Sequence, residues 1–258
     1  MTGDTLVARH RDLLLSENDY LRALPGQLAN RLVADLRLVE FRQGQIIESA
    51  TADTLVVFPL TAVFLFTLAP TGTQSSYTWI ASCRNAIFGR RGDWEESMPY
   101  QLRTLRGGFA LVIDKTACVA HLGKDHWSKF YNFHGAGWAL RSFGNHATCL
   151  GTHVAAQRLA TVLLEAAAAF GQDRPILITQ SQLAVWLSIR RESVSAALAA
   201  LVADKAIIMG RAQIKVTDAD RLRQKACGCR PFNESTWADL LKGWYQVWAE
   251  ALMSSPSG

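Results

Sequence analysis

Arg190, Arg191, Glu192, Ser193 and Ser195 fall within one short stretch, and each carries a group able to read a base edge or hold a phosphate. An arginine guanidinium bonds guanine O6 and N7 together, a glutamate accepts from cytosine N4, and a serine hydroxyl serves as donor or acceptor. Thr179, Gln180, Arg211 and Lys215 flank them with types suited to holding backbone phosphates. A second chemical group is Cys227-Gly228-Cys229, set among Arg223, Lys225 and Arg230. Neighbouring cations favour the thiolate. Two cysteines do not complete a zinc site unaided, so no metal ligands are assigned, and the pair either has a redox or metal role or is incidental to closing its domain. The six histidines, His10, His121, His126, His134, His146 and His153, form no attachment motif and read as surface or capping residues. No H-E-x-x-H, G-x-S-x-G, phosphate loop or paired-carboxylate setting is found, so no enzyme is expected.

The elements that must position the first group are legible on either side of it. Thr179 and Gln182 make a capping-box pair, which predicts a helix from Gln180 with Leu183, Ala184 and Leu187 turned inward. A very short turn through Ser188 follows, with Ile189 bridging it. Val194, Leu198 and Leu201 then repeat at helical spacing in a second helix that ends near Ala203, leaving the polar residues on its exposed N-terminal end. Ile207 to Met209, Gly210-Arg211 and Gln213 to Val216 predict a β-hairpin. Two helices with a tight turn and a following hairpin are a winged helix-turn-helix spanning Pro175 to Val216. Such a unit sets the second helix in the major groove of DNA with its first residues at the base edges. Charge agrees: residues 172–230 hold 10 Lys or Arg against 5 acids, whereas residues 1–171 hold 16 against 14. The basic excess is local, as a polyanion partner requires.

Upstream, residues 4–40 read as helical, with Leu13, Leu14, Leu21, Leu24, Leu28, Leu32 and Leu36 at three-to-four spacing and a break at Pro25-Gly26. From Val39 to Ile113 short β-rich stretches alternate with Gly, Pro, Ser and Thr, among them Leu55 to Phe58, Val63 to Leu68, Tyr77 to Ile80 and Phe109 to Ile113, which predicts an antiparallel roll. The proline-free stretch from Gly135 to Phe170 predicts one long helix. Its residues Leu140, Phe143, Ala147, Leu150 and Val154 form a seam at alternating spacings of three and four, which a second helix would cover in a dimer; the alternative is packing on the chain's own β-domain. Gly171 to Pro175 makes a hinge. The tail carries Trp237, Leu241, Trp244, Trp248 and Leu252 on one helical stripe, which suits packing within the molecule or a docking helix. The predicted units are therefore 1–134, helices and sensor roll; 135–171, dimer helix; 172–230, winged domain; and 231–258, a helical extension.

At 258 residues, 49% hydrophobic and 19% charged, the chain has core material for two compact domains rather than a disordered or fibrous design. No run of 18 apolar residues occurs and the first residues lack a signal-peptide core, which predicts a cytoplasmic protein with no membrane association. Five cysteines at irregular spacing make a poor disulfide framework and suit a reducing compartment.

The order of roll, long helix and winged helix resembles the Crp/Fnr family of transcription regulators over about residues 40–229. The most specific stretch is Ser188-Ile189-Arg190-Arg191-Glu192-Ser193-Val194-Ser195, against a family pattern of glycine, an apolar residue, Ser, Arg, Glu, Thr or Ser, and Val. The resemblance implies an α+β fold with an N-terminal antiparallel β-roll of the cupin-like jelly-roll kind, flanking helices, a long dimerisation helix and a C-terminal winged helix-turn-helix. It also implies double-stranded DNA, a second copy of the chain and RNA polymerase as partners, with Arg191 and Glu192 as base readers. Two positions depart from the pattern. Ser188 replaces the usual turn glycine, and Ala196 stands where many members carry an arginine. The Gly-Glu pair and Arg-Ser/Thr-Ala run that hold a cyclic phosphate in that family are missing from Phe88 to Glu96 and around Arg103-Thr104-Leu105, so a cyclic nucleotide is not the expected effector. An iron-sulfur centre lacks its N-terminal cysteines, since the first is Cys83. No cofactor is indicated. The competing function is a haem or small-molecule sensor whose winged helix contacts protein rather than DNA.

Overall fold

The computed structural model describes residues 10–47, 55–68, 77–82, 87–88, 100–123, 136–171 and 173–229. Helices α1 (Arg11–Ser16), α2 (Asp19–Arg22) and α3 (Gly26–Val33) open the described chain. Asn18 caps α2: its side-chain oxygen accepts from the Tyr20 and Leu21 amides, and its amide group donates to the Pro59 carbonyl at 2.9 Å, which pins the helix to the β-domain. The helical expectation for residues 4–40 ends too late, because strand β1 runs over Arg37–Phe41. Its backbone pairs with a partner strand over all five residues, and that ladder overrides the leucine spacing upstream.

Strands β1, β2 (Ile46–Ile47), β3 (Leu55–Pro59), β4 (Val63–Leu68), β5 (Tyr77–Ala81), β6 (Ile87–Phe88), β7 (Tyr100–Arg106) and β8 (Gly108–Asp114) form two antiparallel sheets. Their orders are β1-β8-β3-β6 and β2-β7-β4-β5. All four stretches read as strands from sequence lie in β3, β4, β5 and β8. In β8 the period-two alternation of a strand puts Ala110 and Val112 inside the roll, in a core with Phe41, Val57, Phe64 and Leu102. Leu111 and Ile113 point the other way, into a second core with Leu21, Leu32 and Leu36. Phe41 and Phe64 meet edge to face at 5.1 Å inside the roll. Gly108 is required at the β7–β8 turn, since a Cβ there would sit 2.7 Å from the Ala62 backbone nitrogen. Helix α4 (Lys115–Leu122), which sequence pattern did not disclose, starts on Asp114, whose carboxylate accepts from the Thr116 and Ala117 amides.

Residues 136–170 form two helices where one was expected: α5 (Ala136–Thr152) and α6 (Ala155–Phe170). Gly151 weakens the last turn of α5 by about 1 kcal/mol relative to alanine. Thr148 and Thr152 bond back to the Gly144 and Thr148 carbonyls, a habit that bends helices. Val154 is extended, and its amide donates to the Gln157 side chain at 3.3 Å, so α6 starts afresh there. Val154 consequently leaves the helical seam and lies 65% exposed in the break.

Helix α6 does not continue a stalk; it is buried. Leu159, Leu163, Ala166 and Phe170 share one core with the outer face of the second sheet, at Val63, Leu65 and Leu105, and with the elements that follow. At the C-terminus of α6 the Arg106 guanidinium donates to the Phe170 carbonyl and to Thr61, and stacks 5.8 Å from the Phe170 ring. A cation suits that end of a helix dipole. The remaining elements are α7 (Gln180–Leu187), α8 (Arg191–Ala203), β9 (Ile207–Gly210), β10 (Gln213–Val216) and α9 (Ala219–Lys225). The tail stripe at 231–258 lies outside the described residues, as do the side chains of Leu140 and Phe143 and the stretch 89–99.

Candidate nucleic-acid interface

Helix α7 begins where its capping box predicts: the Thr179 amide donates to Gln182 Oε1 at 2.8 Å, and the Gln182 amide donates back to Thr179 Oγ1 at 3.2 Å. Leu183, Trp186 and Leu187 turn inward. Arg158 of α6 donates to the Leu187 carbonyl at 3.3 Å, holding the C-terminal end of α7 with a cation. Ser188 takes the left-handed conformation, φ 50° and ψ 46°, at the position where the resemblance led one to expect glycine. A non-glycine residue there carries roughly 1–2 kcal/mol of steric cost. Ser188→Gly should therefore raise the denaturation midpoint and add about 0.5–1 kcal/mol, part of the relief being lost to the greater freedom of glycine in the unfolded chain. Urea denaturation of the two proteins measures it directly.

The turn delivers α8 with Val194, Ala197, Leu198 and Leu201 buried against α6 and α7. Arg190, Arg191, Glu192, Ser193, Ser195 and Ala196 are all exposed at its N-terminal end. Strands β9 and β10 pair in register from Ile207↔Val216 to Gly210↔Gln213, and the pair is anchored where Ile176 and Ile214 exchange backbone hydrogen bonds at 2.7 and 2.9 Å. Arg211 lies exposed at the hairpin turn beside Ala212, whose φ is +55°, and Lys215 is half-buried on β10. Thr179 and Gln180 sit at the start of α7.

The basic residues of this domain differ in how they are paired. On α9, Arg221 pairs with Asp218, Arg223 with Asp220, and Lys225 with Asp204 at 2.9 Å. Those three carboxylates are thus engaged by cations of the same helix. Among the described residues, Arg190, Arg191, Arg211 and Lys215 have no ion-pair partner. Arg174 and Lys205 share that condition, so the unpaired cations of the domain include, but are not confined to, those on α8 and the hairpin.

Sequence comparison matches residues 157–225 to the family described as the Crp-like helix-turn-helix domain. The match begins inside α6, in keeping with the core that α6 shares with α7 and α8. Solved structures extend the likeness in fold beyond the Crp-like domain. FixK2 from Bradyrhizobium japonicum superposes with a TM-score of 0.57 at 18% identity, over 75% of this chain and 98% of its own. A CRP/FNR-family transcriptional regulator from Thermus thermophilus gives 0.52 at 17% identity, over 74% and 98%. The c-di-GMP-responsive global regulator CLP of Xanthomonas campestris gives 0.52 at 12% identity, over 74% and 99%. The fold is that of Crp/Fnr regulators: an N-terminal β-roll and a C-terminal winged helix. No curated protein matches the sequence.

The structure also gathers residues that sequence spacing kept apart. Cys227 and Cys229, following the Crp-like domain, lie against Cys149 and His153 at the α5–α6 break. Cys149 Sγ is 3.6 Å from Cys227 Sγ, and Cys229 Sγ is 3.7 Å from His153 Nδ1. Burial pushes the Cys149 thiol up, reinforced by the hydrogen bond and charge of Cys227, and burial with Cys227 likewise raises Cys229. Burial acts in the same sense on Cys227, but hydrogen bonds, the first from Thr161, outweigh it and bring that thiol below its ordinary value. The basic neighbours Arg223 and Lys225 are engaged by Asp220 and Asp204, so the depression at Cys227 has a different cause from the one expected from sequence. Nothing in the linear pattern joined Cys149-x-x-x-His153 to a Cys-x-Cys far downstream.

Proposed function

We propose that the chain is a sequence-specific DNA-binding transcription regulator of the Crp/Fnr type, acting as a homodimer on an inverted-repeat operator. What supports it above all is the exposed, unpaired set Arg190, Arg191 and Arg211, with the half-buried, unpaired Lys215, on α8 and the hairpin of a region that matches the Crp-like helix-turn-helix domain. Arg191, Glu192, Ser193 and Ser195 read base edges from the N-terminal end of α8, while Thr179, Gln180, Arg190, Arg211 and Lys215 hold phosphates. A second copy packs along α5 at Leu140, Phe143, Ala147 and Leu150, and Val154, which the break takes off the helical seam, meets it from the α5–α6 connection. Exposure of Ala147 and Val154 agrees with a partner there. RNA polymerase is the further partner. The effector is a small molecule or signal other than a cyclic nucleotide, because the phosphate-holding run is missing between Gly89 and Leu105.

The role given to Lys215 is tested by fluorescence anisotropy with duplex DNA across a salt series. Lys215→Ala should weaken specific and nonspecific binding alike and lower the slope of log affinity against log salt by about one unit, since each phosphate contact releases roughly one counterion. An unchanged slope would take Lys215 out of the interface.

A further inference from the structure

We propose that Cys149, His153, Cys227 and Cys229 form a mononuclear tetrahedral zinc site that fastens the chain leaving α9 to the break between α5 and α6. The donor atoms of the four residues all lie within 4.8 Å of one another. In a tetrahedron with Zn–S near 2.3 Å and Zn–N near 2.0–2.1 Å, ligand atoms stand roughly 3.5–3.8 Å apart. Two of the pairs, 3.6 Å between the Cys149 and Cys227 sulfurs and 3.7 Å between the Cys229 sulfur and the His153 imidazole nitrogen, already have that edge length. Three thiolates and one imidazole are a donor set that zinc takes in closed structural sites. An iron-sulfur cluster with two irons would hold its two ligand pairs farther apart than this cluster allows.

The supply of ligands follows from local structure. Cys149 lies in the last turn of α5 and His153 just beyond it, and the His153 amide donates to the Cys149 carbonyl at 3.1 Å, which carries the helical spacing one residue further and brings the two side chains to the same side. Cys227 and Cys229 arrive from the other side, just beyond the last turn of α9, and the three cysteines are buried in a cluster of their own. Supporting contacts are in place as well. Thr161 of α6 receives the Cys227 amide proton at 3.1 Å and lies 3.0 Å from Cys227 Sγ, while Asn145 of α5 donates to the Cys229 carbonyl at 3.3 Å. Such outer contacts orient metal ligands and tune their affinity. A disulfide would use two sulfurs and leave a third sulfur and an imidazole together without a purpose. Binding requires the thiols to release their protons to solvent, so affinity rises with pH.

The test uses the full chain, purified without chelator, with metal content by mass spectrometry and Co²⁺ replacing Zn²⁺ as a spectroscopic probe. A single zinc per chain is expected, and the cobalt form should show thiolate-to-cobalt charge transfer with the strong visible bands of tetrahedral coordination. Cys149→Ser, Cys227→Ser, Cys229→Ser and His153→Ala should each remove or shift those bands. Cys118→Ser, in a separate core, should leave them unchanged. Thr161→Val should weaken Zn²⁺ binding by about 10- to 100-fold. Should a ligand variant fail to fold, the cobalt spectrum of the unaltered chain still decides. Zinc far below one per chain with a featureless cobalt titration, two irons with sulfide, a Cys149–Cys227 disulfide in place of metal, or equal loss in Cys118→Ser would each overturn the proposal.

Discussion

Trp186→Ala should cost about 3–5 kcal/mol, the range for deleting a fully buried large aromatic side chain. Trp186 is only 3% exposed, in the core that α6, α7, α8, β9 and β10 share. That core sets the angle at which α8 is presented, because Leu198 and Val194 on its inner face are also fully buried there. Domains of this size are stable by only about 5–15 kcal/mol, so the loss should be visible as early unfolding of the winged domain and as failure to bind DNA at physiological temperature. Urea denaturation followed by circular dichroism, alongside binding at low temperature where the domain is still folded, separates the two effects. A stability loss under about 1 kcal/mol would mean that the packing described for α7 is wrong.

Arg191→Ala should cost about 1–3 kcal/mol at the operator, roughly 5- to 150-fold in affinity, and relax preference at one base pair of each half-site. Arg191 is the first residue of α8, exposed and without an ion-pair partner among the described residues, so removing it unburies nothing and leaves no orphaned acid. Its loss should therefore leave thermal stability within about 0.5 kcal/mol, as for surface substitutions generally. Nonspecific binding should fall much less than specific binding, in contrast to the uniform loss expected for Lys215. The two proteins are compared on the selected operator and on that operator with single base-pair changes. An Arg191→Ala protein with full discrimination would move the base-reading role elsewhere on α8.

Features that depend only on neighbours in the chain are legible in the sequence. The Thr179–Gln182 box, the inner face of α8 and the hairpin after it are local patterns, and residues 179–216 fold as they imply. The long-helix expectation failed at a place where the spacing signal stayed intact: the run through Val154 continues the apolar period, but Gly151 and two threonine back-bonds end the helix first. Periodicity reports which face is apolar, whereas backbone continuity depends on hydrogen bonds that a period does not show. Likewise β1 begins inside a stretch of helical leucine spacing because its partner β8 is distant in the chain. The Cys149–His153–Cys227–Cys229 group was beyond reach for the same reason, since its two halves meet only when α9 packs on α6.

Two winged domains should meet one operator, and binding-site selection from random duplexes with the 258-residue chain tests this most directly. The expected result is enrichment of an inverted repeat whose half-site centres are about 34–36 Å apart, one helical turn of DNA, as two domains related by a dimer axis require. Enrichment of a single asymmetric site, or of no sequence at all at salt concentrations where nonspecific binding has been suppressed, would contradict it.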